Sequence, residues 1–439
     1  MTNPHPSRSS KSSSERIAQA VAKLGDGPLS ESSIIEHLHP LFSRVLARNE
    51  RTDEIYLANH SLGRPMDAVA DEVSRALDAW FDGLDDAWGP WMEQREHYRT
   101  LIADIAGCSR ADAVVPKTSA GQGLRAVINA LPFDPKNPVA NIVATRGEFD
   151  SIDFNLKAAA HKGRADVRWV EPDEQGLYHS DDLIAAITDE TDLVVCSMVC
   201  FVTGQLVPDL HRVIEAARAH GALVLIDAYH AFGAMEINFD NLDADFLIAG
   251  NYKYTRGGAG ACFLIVNPKH LSTAGGVPDS DSLFSIDTGW FAKQDTFAYR
   301  RTELPEYEAG GDAWLESTPP ALVYFQAGPG LELVSAIGVD RLRHYTLLQQ
   351  QFLCDELTKH AIEPRVLQHH GSFVLIPTDN GNSYEHNAIE RLKANGINAD
   401  ARPCPKTGQW LVRLCPDLLN TNQELCIAAE RIAKALSSD

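Results

Sequence analysis

The chain has no hydrophobic run long enough to cross a membrane and no recognisable signal peptide. No apolar segment among its 439 residues approaches the ~20 residues that a spanning helix needs. The stretch from Ser7 to Ser14 is rich in serine and includes Arg8 and Lys11, but no hydrophobic segment follows it. We therefore expect a disordered lead-in, with a transit peptide as the alternative, and no membrane partner.

Basic residues are scarce. The chain has 39 Lys and Arg against 60 Asp and Glu, which gives a net charge of −21 at pH 7. Nucleic acids and anionic membranes attract Lys and Arg, so this balance argues against both as partners. Small anionic ligands are still allowed, because a local group of hydrogen-bond donors can hold one against a negative background.

Cysteines are few and scattered. The eight cysteines form neither a disulfide framework nor a zinc-ligand cluster, so no metal site is predicted. Cys196 and Cys200 lie in an apolar stretch, which is typical of buried, unreactive thiols. These features predict a reduced, cytoplasmic protein.

What the sequence does contain is an alternation of β-rich and helical segments, with 44% hydrophobic residues overall. Most of the β-rich segments are continuous runs of Val, Ile and Leu, as expected for strands that are buried on both faces. Between two of them, Asp209–His220 has a helical apolar face and ends at Gly221. The predicted strands are Ala140–Thr145, Asp166–Val170, Asp192–Met198, Ala222–Asp227, Asp245–Ala249 and Gly260–Val266. This pattern predicts a doubly wound α/β domain with a mostly parallel sheet, whose ligands bind at the carboxyl ends of the strands.

The pattern changes after about Pro320. A long helical region, Val323–His360, is interrupted by Gly328-Pro329-Gly330. Short predicted strands follow at Ser372–Pro377, Ile397–Arg402 and Trp410–Leu414, and a last helix begins at Asn422. We predict an N-terminal lead-in over residues 1–50 that is partly disordered or helical, a large domain over 51–320 and a smaller α+β domain over 321–439.

Three polar segments lie at the ends of predicted strands. Asp227 ends one strand, Lys253 follows the next strand, and Thr118 and Ser119 precede a helix. An acid at a strand end is often only a cap, and a lysine in a turn is usually solvated. Pyridoxal phosphate (PLP) chemistry, however, needs a carboxylate for the pyridinium nitrogen, a lysine that links to the cofactor, and a helix N-terminus for the phosphate. The order of the three segments predicts a PLP site.

Four motifs make a resemblance specific. They are Tyr56-Leu-Ala-Asn-His-Ser-Leu-Gly63, Phe201-Val-Thr-Gly-Gln205, Asp227-Ala-Tyr-His230-Ala and Asn251-Tyr-Lys253-Tyr254. Together they resemble the motifs of kynureninases, in the class-V aminotransferase branch of fold-type-I PLP enzymes, from about Tyr56 to the C-terminal helix. The resemblance implies the PLP-dependent transferase fold (aspartate aminotransferase-like), a seven-stranded type of sheet, PLP as cofactor, and a homodimer that shares its active sites.

The resemblance also implies roles for single residues. Lys253 would be the Schiff-base lysine, Asp227 the partner of the pyridine nitrogen, and His230 a neighbour of the ring. Arg413 would bind the α-carboxylate of the substrate through two parallel charge-assisted bonds, and Ser61 would be a further substrate contact. The implied cofactor contacts are Phe149 on the ring face, Ser119, Tyr252 and the adjacent Thr118 at the phosphate, Ser197, and, from the partner subunit, Trp290 and Thr318. Simpler interpretations are a core phenylalanine at 149, a packing tryptophan at 290 and a surface arginine at 413.

The sequence departs from the kynureninase pattern at the substrate end. Leu84 stands where the family has a histidine that contacts the aromatic end of the substrate, and His60 stands where it has asparagine. Losing a directional hydrogen bond changes specificity by orders of magnitude, so kynurenine itself is in doubt. Cys404 lies in the region where cysteine desulfurases have their catalytic cysteine, but its Pro-Cys-Pro context favours an incidental residue.

The leading hypothesis is a kynureninase-like hydrolase or lyase that acts on an amino acid, in which Lys253 removes the Cα proton. A class-V aminotransferase is the main alternative, and a cysteine desulfurase or lyase is a weaker one. A PLP-fold protein without catalysis, serving as a binding module, is disfavoured because Lys253, Asp227 and Arg413 are all present.

Overall fold

The computed structural model describes residues 11–132, 138–279, 282–378 and 384–437. The strands are β1 (Ile55–Tyr56), β2 (Val114–Lys117), β3 (Ala140–Thr145), β4 (Ala165–Val170), β5 (Leu193–Ser197), β6 (Leu223–Asp227), β7 (Phe246–Gly250), β8 (Cys262–Val266), β9 (Val374–Pro377), β10 (Ile397–Asn398), β11 (Asp400–Pro403) and β12 (Trp410–Leu414). The helices are α1 (Ser13–Ala22), α2 (Glu31–His37), α3 (Ser43–Thr52), α4 (Ala68–Gly83), α5 (Trp88–Ala106), α6 (Ala120–Ile128), α7 (Asp150–His161), α8 (Ser180–Ala186), α9 (Leu210–Ala219), α10 (Phe239–Leu242), α11 (Ala321–Ile337), α12 (Val339–Lys359), α13 (Tyr384–Ala394) and α14 (Asn422–Leu436).

The central sheet has seven strands in the order β2-β8-β7-β6-β5-β3-β4. Neighbouring strands from β7 to β4 run parallel, whereas β8 is antiparallel to both β7 and β2. All residues of β5, β7 and β8 are buried, as helices on both faces of a sheet require. The predicted α/β architecture is confirmed, and the six predicted strands lie within two residues of the observed ones. Strand β2, which has only four residues, was not predicted.

The sheet brings three strand ends together. Ser197 at the end of β5 is the Cα partner of Asp227 at the end of β6, and Asp227 is in turn the partner of Ile248 in β7. The turn that carries Lys253 begins directly after Gly250, where β7 ends. The carboxyl edge of the sheet therefore aligns Ser197, Asp227 and Lys253, although 56 residues separate the first from the last.

A second, three-stranded antiparallel sheet has the order β11-β12-β9 and packs against α12 and α14. The short strand β1 pairs in parallel with β10, so that Ile55 is the Cα partner of Ile397. This pairing places the motif Tyr56–Gly63, which begins in β1, next to the C-terminal part of the chain. The division into three regions stays a prediction.

The helical region after Pro320 breaks at a different place from the one predicted. Helix α11 continues through Gly328, Pro329 and Gly330 and ends at Ile337, directly before Gly338, which has a φ of +92°. Gly330 serves contact rather than termination, because a Cβ at this position would lie 1.8 Å from the carbonyl oxygen of Thr255. Within the described ranges no single helix is long and apolar enough to span a membrane. Helices α11 and α12 pass that test only together, as a pair bent by 87°.

Residues 13–52 are mostly helical and packed. Ser12 caps α1 in a reciprocal arrangement with Glu15, so the helix already includes Ser13 and Ser14. This differs from the disorder predicted up to Ser14, while residues 1–10 lie outside the described part of the chain. Helices α1 to α3 share an apolar core with the end of α11 and with Leu418 and Leu419.

Candidate active site

The turn that carries Lys253 is fixed by the N-terminal motif. The backbone N–H of Gly63 donates to the carbonyl of Tyr252 at 2.8 Å. A Cβ at Gly63 would lie 2.0 Å from the carbonyl oxygen of Lys253, so only glycine allows this approach. The motif that resembles the kynureninase pattern thus packs directly against the lysine turn.

The amine of Lys253 is buried and linked to a histidine. Its Nζ lies 2.8 Å from Nε2 of His230, whose Nδ1 lies 3.2 Å from the hydroxyl of Tyr254. Burial and, to a lesser degree, Arg413 lower the pKa of Lys253 well below its ordinary value, against the opposing effect of Asp227. Burial also lowers the pKa of His230, so its ring is neutral.

These three groups have two hydrogen-bonded arrangements, one for each protonation state of Lys253. When Lys253 is protonated it donates to Nε2, and the N–H at Nδ1 of His230 donates to Tyr254. When Lys253 is neutral it accepts from Nε2–H, and the hydroxyl of Tyr254 donates to Nδ1. The two contacts of His230 are kept in both states, which suits a lysine that must take up and release a proton.

Asp227 is buried at the end of β6, and its Oδ1 accepts the backbone N–H of Tyr229 at 2.8 Å. Burial raises its pKa above the ordinary value, while the Tyr229 N–H and the charge of Lys253 act in the opposite direction. The result is a carboxylate whose charge is compensated by a donor and a cation. Such a group can stabilise a buried cationic ring nitrogen.

Glu148 is a buried acid that the sequence reasoning missed. It accepts from the hydroxyls of Thr145 at 2.5 Å and Ser197 at 2.7 Å, and from the backbone N–H of Ser197 at 3.0 Å. Burial and the nearby charge of Asp227 raise its pKa to about 7. Ser197, a predicted cofactor contact, is therefore hydrogen-bonded to Glu148. The only feature of the sequence that points to Glu148 is its position directly before Phe149.

Aromatic rings surround the lysine. The centroids of Phe149, Tyr229 and Tyr252 lie 5.8, 5.9 and 5.9 Å from its Nζ. Phe149 also meets Phe201 edge-on, with ring centroids 5.5 Å apart. A flat ring could stack at this place, since Phe149 is half-buried and the lysine amine lies over its ring.

The start of α6 lies at the same edge of the sheet, because Lys117 at the end of β2 and Gly250 at the end of β7 are both Cα partners of Cys262 in β8. Ser119 caps the helix, and its Oγ accepts the backbone N–H of Gln122 at 3.2 Å. The side-chain oxygen of Gln122 accepts from the N–H and the hydroxyl of Thr118, at 2.7 and 3.0 Å. The first N–H groups of a helix have no partner within it, so together with the helix dipole they suit an anion.

Arg413 on β12 is held by Asp400, its Cα partner on β11. Nε of Arg413 donates to Oδ1 at 2.8 Å and Nη2 to Oδ2 at 2.5 Å, while Nη1 donates to the carbonyl of Phe201. Asp400 also accepts from Nε2 of His60 at 2.8 Å. Burial and Arg413 lower the pKa of His60 to about 4, so the ring is neutral and acts as a donor. The sequence reasoning missed the role of Asp400 because the three residues meet only through tertiary structure.

Four predicted contacts have no hydrogen bond to Lys253 or Arg413 in the described part of the chain. Nε1 of Trp290 donates to the hydroxyl of Thr318 at 3.1 Å, so these two residues do meet each other. Leu84 is 67% exposed at a turn after α4, with a φ of +50°, and Ser61 is exposed. The structure joins neither Leu84 nor Ser61 to Lys253.

Cys404 is buried, and a Cβ at Gly176 would lie 2.5 Å from its sulfur. It packs in an apolar cluster with Phe201 and Leu411. A nucleophilic thiolate needs an exposed, electropositive environment, so this position favours an incidental cysteine. In the described part of the chain, no group of three or more His, Cys, Asp or Glu residues could hold a metal ion.

Comparison with known proteins supplies the family. The model of the class-V aminotransferases matches residues 83–384. The chain belongs to the class-V aminotransferase family. It is 26% identical to a kynureninase of Geobacillus thermodenitrificans (strain NG80-2) over 85% of this chain and 86% of that one, and 28% identical to a kynureninase of Bacillus anthracis over 84% and 86%. The predicted kynureninase-like membership is confirmed.

Solved structures share the fold. A C-DES mutant with glycine covalently linked to its PLP cofactor aligns with a TM-score of 0.75 and 15% identity, over 90% of this chain and 98% of that one. The apo cysteine desulfurase of Thermococcus onnurineus NA1 aligns with a TM-score of 0.69 and 18% identity, over 88% and 95%. These likenesses confirm the fold-type-I architecture.

Proposed function

We propose that this chain is a PLP-dependent enzyme that acts on an amino acid as a kynureninase-like hydrolase or lyase. One observation carries the proposal: Lys253, with a lowered pKa, and the carboxylate Asp227 are buried at neighbouring strand ends, beside an aromatic face and a helix N-terminus. This donor set fits PLP, which supplies an electron sink for the bond broken at the substrate.

Each group has a place in such a site. Asp227 would pair with the pyridine nitrogen, Phe149 would cover the ring, and the start of α6 with Ser119 would hold the phosphate. Lys253 would link to the cofactor and, when released by the substrate, remove the proton at Cα through its neutral amine. Nε2 of His230 would then accept a hydrogen bond from the protonated amine.

Arg413 would bind the α-carboxylate of the substrate. Asp400 occupies the Nε and Nη2 edge of its guanidinium group, so the remaining N–H groups of Nη1 and Nη2 are the ones left for a ligand. Asp400 would act as a positioning residue, because it holds the planar group in one orientation.

The similar proteins indicate the type of reaction more directly than the geometry of the site does. Kynureninases match most of the chain, which favours cleavage of the side chain beyond Cβ. Leu84 in place of the histidine leaves the substrate open. An aminotransferase would use the same Lys253 and Asp227, whereas the buried position of Cys404 speaks against a desulfurase.

A homodimer is part of the proposal, supported by an aromatic surface patch that consists of Trp80, Trp88, Trp91, Trp290 and Phe297. The rings form a continuous series, with centroids 5.9 Å apart for Trp80 and Trp91 and 6.1 Å for Trp88 and Phe297. Trp80 is 52% and Phe297 48% exposed, which is unusual for large rings in contact with one another. A second copy covering this patch would bring Trp290 and Thr318 towards its own site, as the resemblance implies.

We also propose a cytoplasmic location, because no described cysteine is in a disulfide.

The test of the cofactor site is spectroscopic. The purified protein with PLP should show the visible absorbance of a lysine-linked cofactor, and Lys253→Ala should lose it. Lys269→Ala, which removes a surface lysine, should keep it. A wild-type protein that stays colourless after addition of PLP would contradict the cofactor site.

The reaction type is tested by incubating the holoenzyme with single amino acids, including kynurenine and 3-hydroxykynurenine. Release of alanine without any keto acid supports the hydrolase. Product formation that depends strictly on a keto acid would replace it by an aminotransferase.

A further inference from the structure

A buried charge cluster lies beside the active site and takes no part in the proposed reaction. Arg64 and Arg256 both donate to Asp417, the latter from Nη2 at 2.6 Å. Nη2 of Arg64 also donates to Oδ1 of Asn420 at 2.8 Å. Arg64, Arg256 and Asp417 are 3, 6 and 6% exposed, so all three are withdrawn from water.

The cluster contains one positive charge too many. Two guanidinium groups share one carboxylate, and their other close neighbours are neutral: the ring of Phe42 lies 5.7 Å from Arg256 and that of Tyr56 5.6 Å from Arg64. Burial raises the pKa of Tyr56 to about 12, so it carries no charge. Among the described residues, Nε of both arginines and Nη1 of Arg64 have no hydrogen-bond partner. An uncompensated buried charge is strongly destabilising.

A cavity adjoins the cluster. It has a volume of about 40 Å³ and is lined by Arg256 and Asp417, by apolar side chains of α11 and α12, and by the hydroxyl-bearing residues Tyr254, Tyr345, Thr346 and Ser372. Both oxygens of Asp417 already accept from arginines, so its charge is compensated. The space suits a monatomic ion or one to two waters.

We propose that this cavity binds a small monovalent anion of the halide class, which supplies the second negative charge of the cluster. Arg256 is its charge partner. The anion also ties the active site to the C-terminal region, because Tyr254 lines the cavity and bonds His230, whereas Asp417 follows β12.

The test compares sodium chloride with sodium gluconate at equal ionic strength on the holoenzyme. The melting temperature should rise with chloride and saturate, and gluconate, which cannot enter the cavity, should not reproduce the rise. Equal stabilisation by both salts, or a rise without saturation, would overturn the proposal.

A variant that fills the cavity sharpens the test. Thr346 lines the cavity, and its hydroxyl bonds only to backbone carbonyls of its own helix, so Thr346→Leu removes space without orphaning a partner. It should weaken the apparent chloride affinity at least tenfold. Thr358→Leu is the control, since Thr358 makes the same type of bond on α12 outside the cavity. An unchanged chloride response in Thr346→Leu contradicts the site.

Diffraction from crystals grown in sodium bromide locates the ion independently of stability. An anomalous peak within hydrogen-bond distance of the Arg256 guanidinium is expected. A cavity that contains only water under those conditions would overturn the proposal.

Discussion

At the scale of single residues, the sequence predicted which residues belong to the candidate active site better than it predicted the contacts between them. Lys253, Asp227 and His230 were named from motifs, and the structure places them together. Glu148 and Asp400, the partner of His60, were not named as site residues, because side chains from distant segments must meet before their hydrogen bonds exist. The sequence around a single acidic residue does not indicate which strand end its side chain will contact in the fold.

Asp400 supplies a prediction about pH. Its carboxylate favours the protonated form of Lys253, so Asp400→Asn should lower the pKa of that amine further. Only the neutral amine reacts with PLP. The rate of PLP attachment to the apoenzyme should therefore reach half its maximum at a lower pH in the variant than in the wild type.

The matched control is Asp245→Asn, which removes another buried, ion-paired aspartate at the start of β7. It should leave the pH midpoint of PLP attachment unchanged, whatever it does to stability. A midpoint that moves equally in both variants, or upward in Asp400→Asn, would show that Asp400 does not act on the lysine.

At the scale of elements, apolar runs predicted the strands of the central sheet correctly. The glycines at 328 and 330 led to a wrong prediction, because the helix continues where an interruption was expected. Continuous Val, Ile and Leu segments have one obvious use, namely a strand buried on both faces. Gly328 and Gly330 look like helix breakers in a sequence, but the helix continues through both, and Gly330 is in close contact with the turn around Thr255. Only the position of that neighbouring turn distinguishes the two uses.

Gly330→Ala should therefore destabilise the protein although alanine is the better helix former. The propensity gain is about 1 kcal/mol, while a methyl group 1.8 Å from the Thr255 carbonyl oxygen forces the backbone to move. We expect a net loss of about 2 kcal/mol in the free energy of unfolding, measured by chemical denaturation.

Gly328→Ala is the comparison, because its Cβ would meet only the end of the Gln94 side chain, at 3.3 Å. That side chain can move, so this variant should be neutral or slightly stabilised. If the two variants have equal stabilities, close contact is not the reason for Gly330.

At the scale of the whole molecule, the sequence predicted the architecture but not the surface. Strand and helix order determines an α/β fold almost by itself. Which rings stay exposed depends on how α4, α5 and the loop around Trp290 come together, and the sequence carries no periodic signal for that. The aromatic surface patch was accordingly invisible until the structure was known.

The patch gives a prediction about assembly. The protein should have about twice the 48.1 kDa mass of one chain in light scattering. The double variant Trp80→Glu with Phe297→Glu should shift it towards the monomer, because charges would be buried in the interface, and PLP should dissociate at least tenfold more readily.

Phe154→Glu is the control, since Phe154 is 75% exposed on α7, outside the patch. It should leave both mass and PLP retention unchanged. A wild-type protein with the mass of a single chain would refute the dimer, and a dimeric double variant would place the interface elsewhere.

The pairing of β1 with β10 has a consequence for biosynthesis. Ile55 needs Ile397 as its partner, and Gly63, just beyond β1, packs on the lysine turn. Contacts over such a sequence separation form late, after the loop entropy of the intervening chain has been paid. A ribosome must therefore release nearly the whole polypeptide before the lysine turn acquires its final support, so cofactor loading is expected to follow translation rather than accompany it.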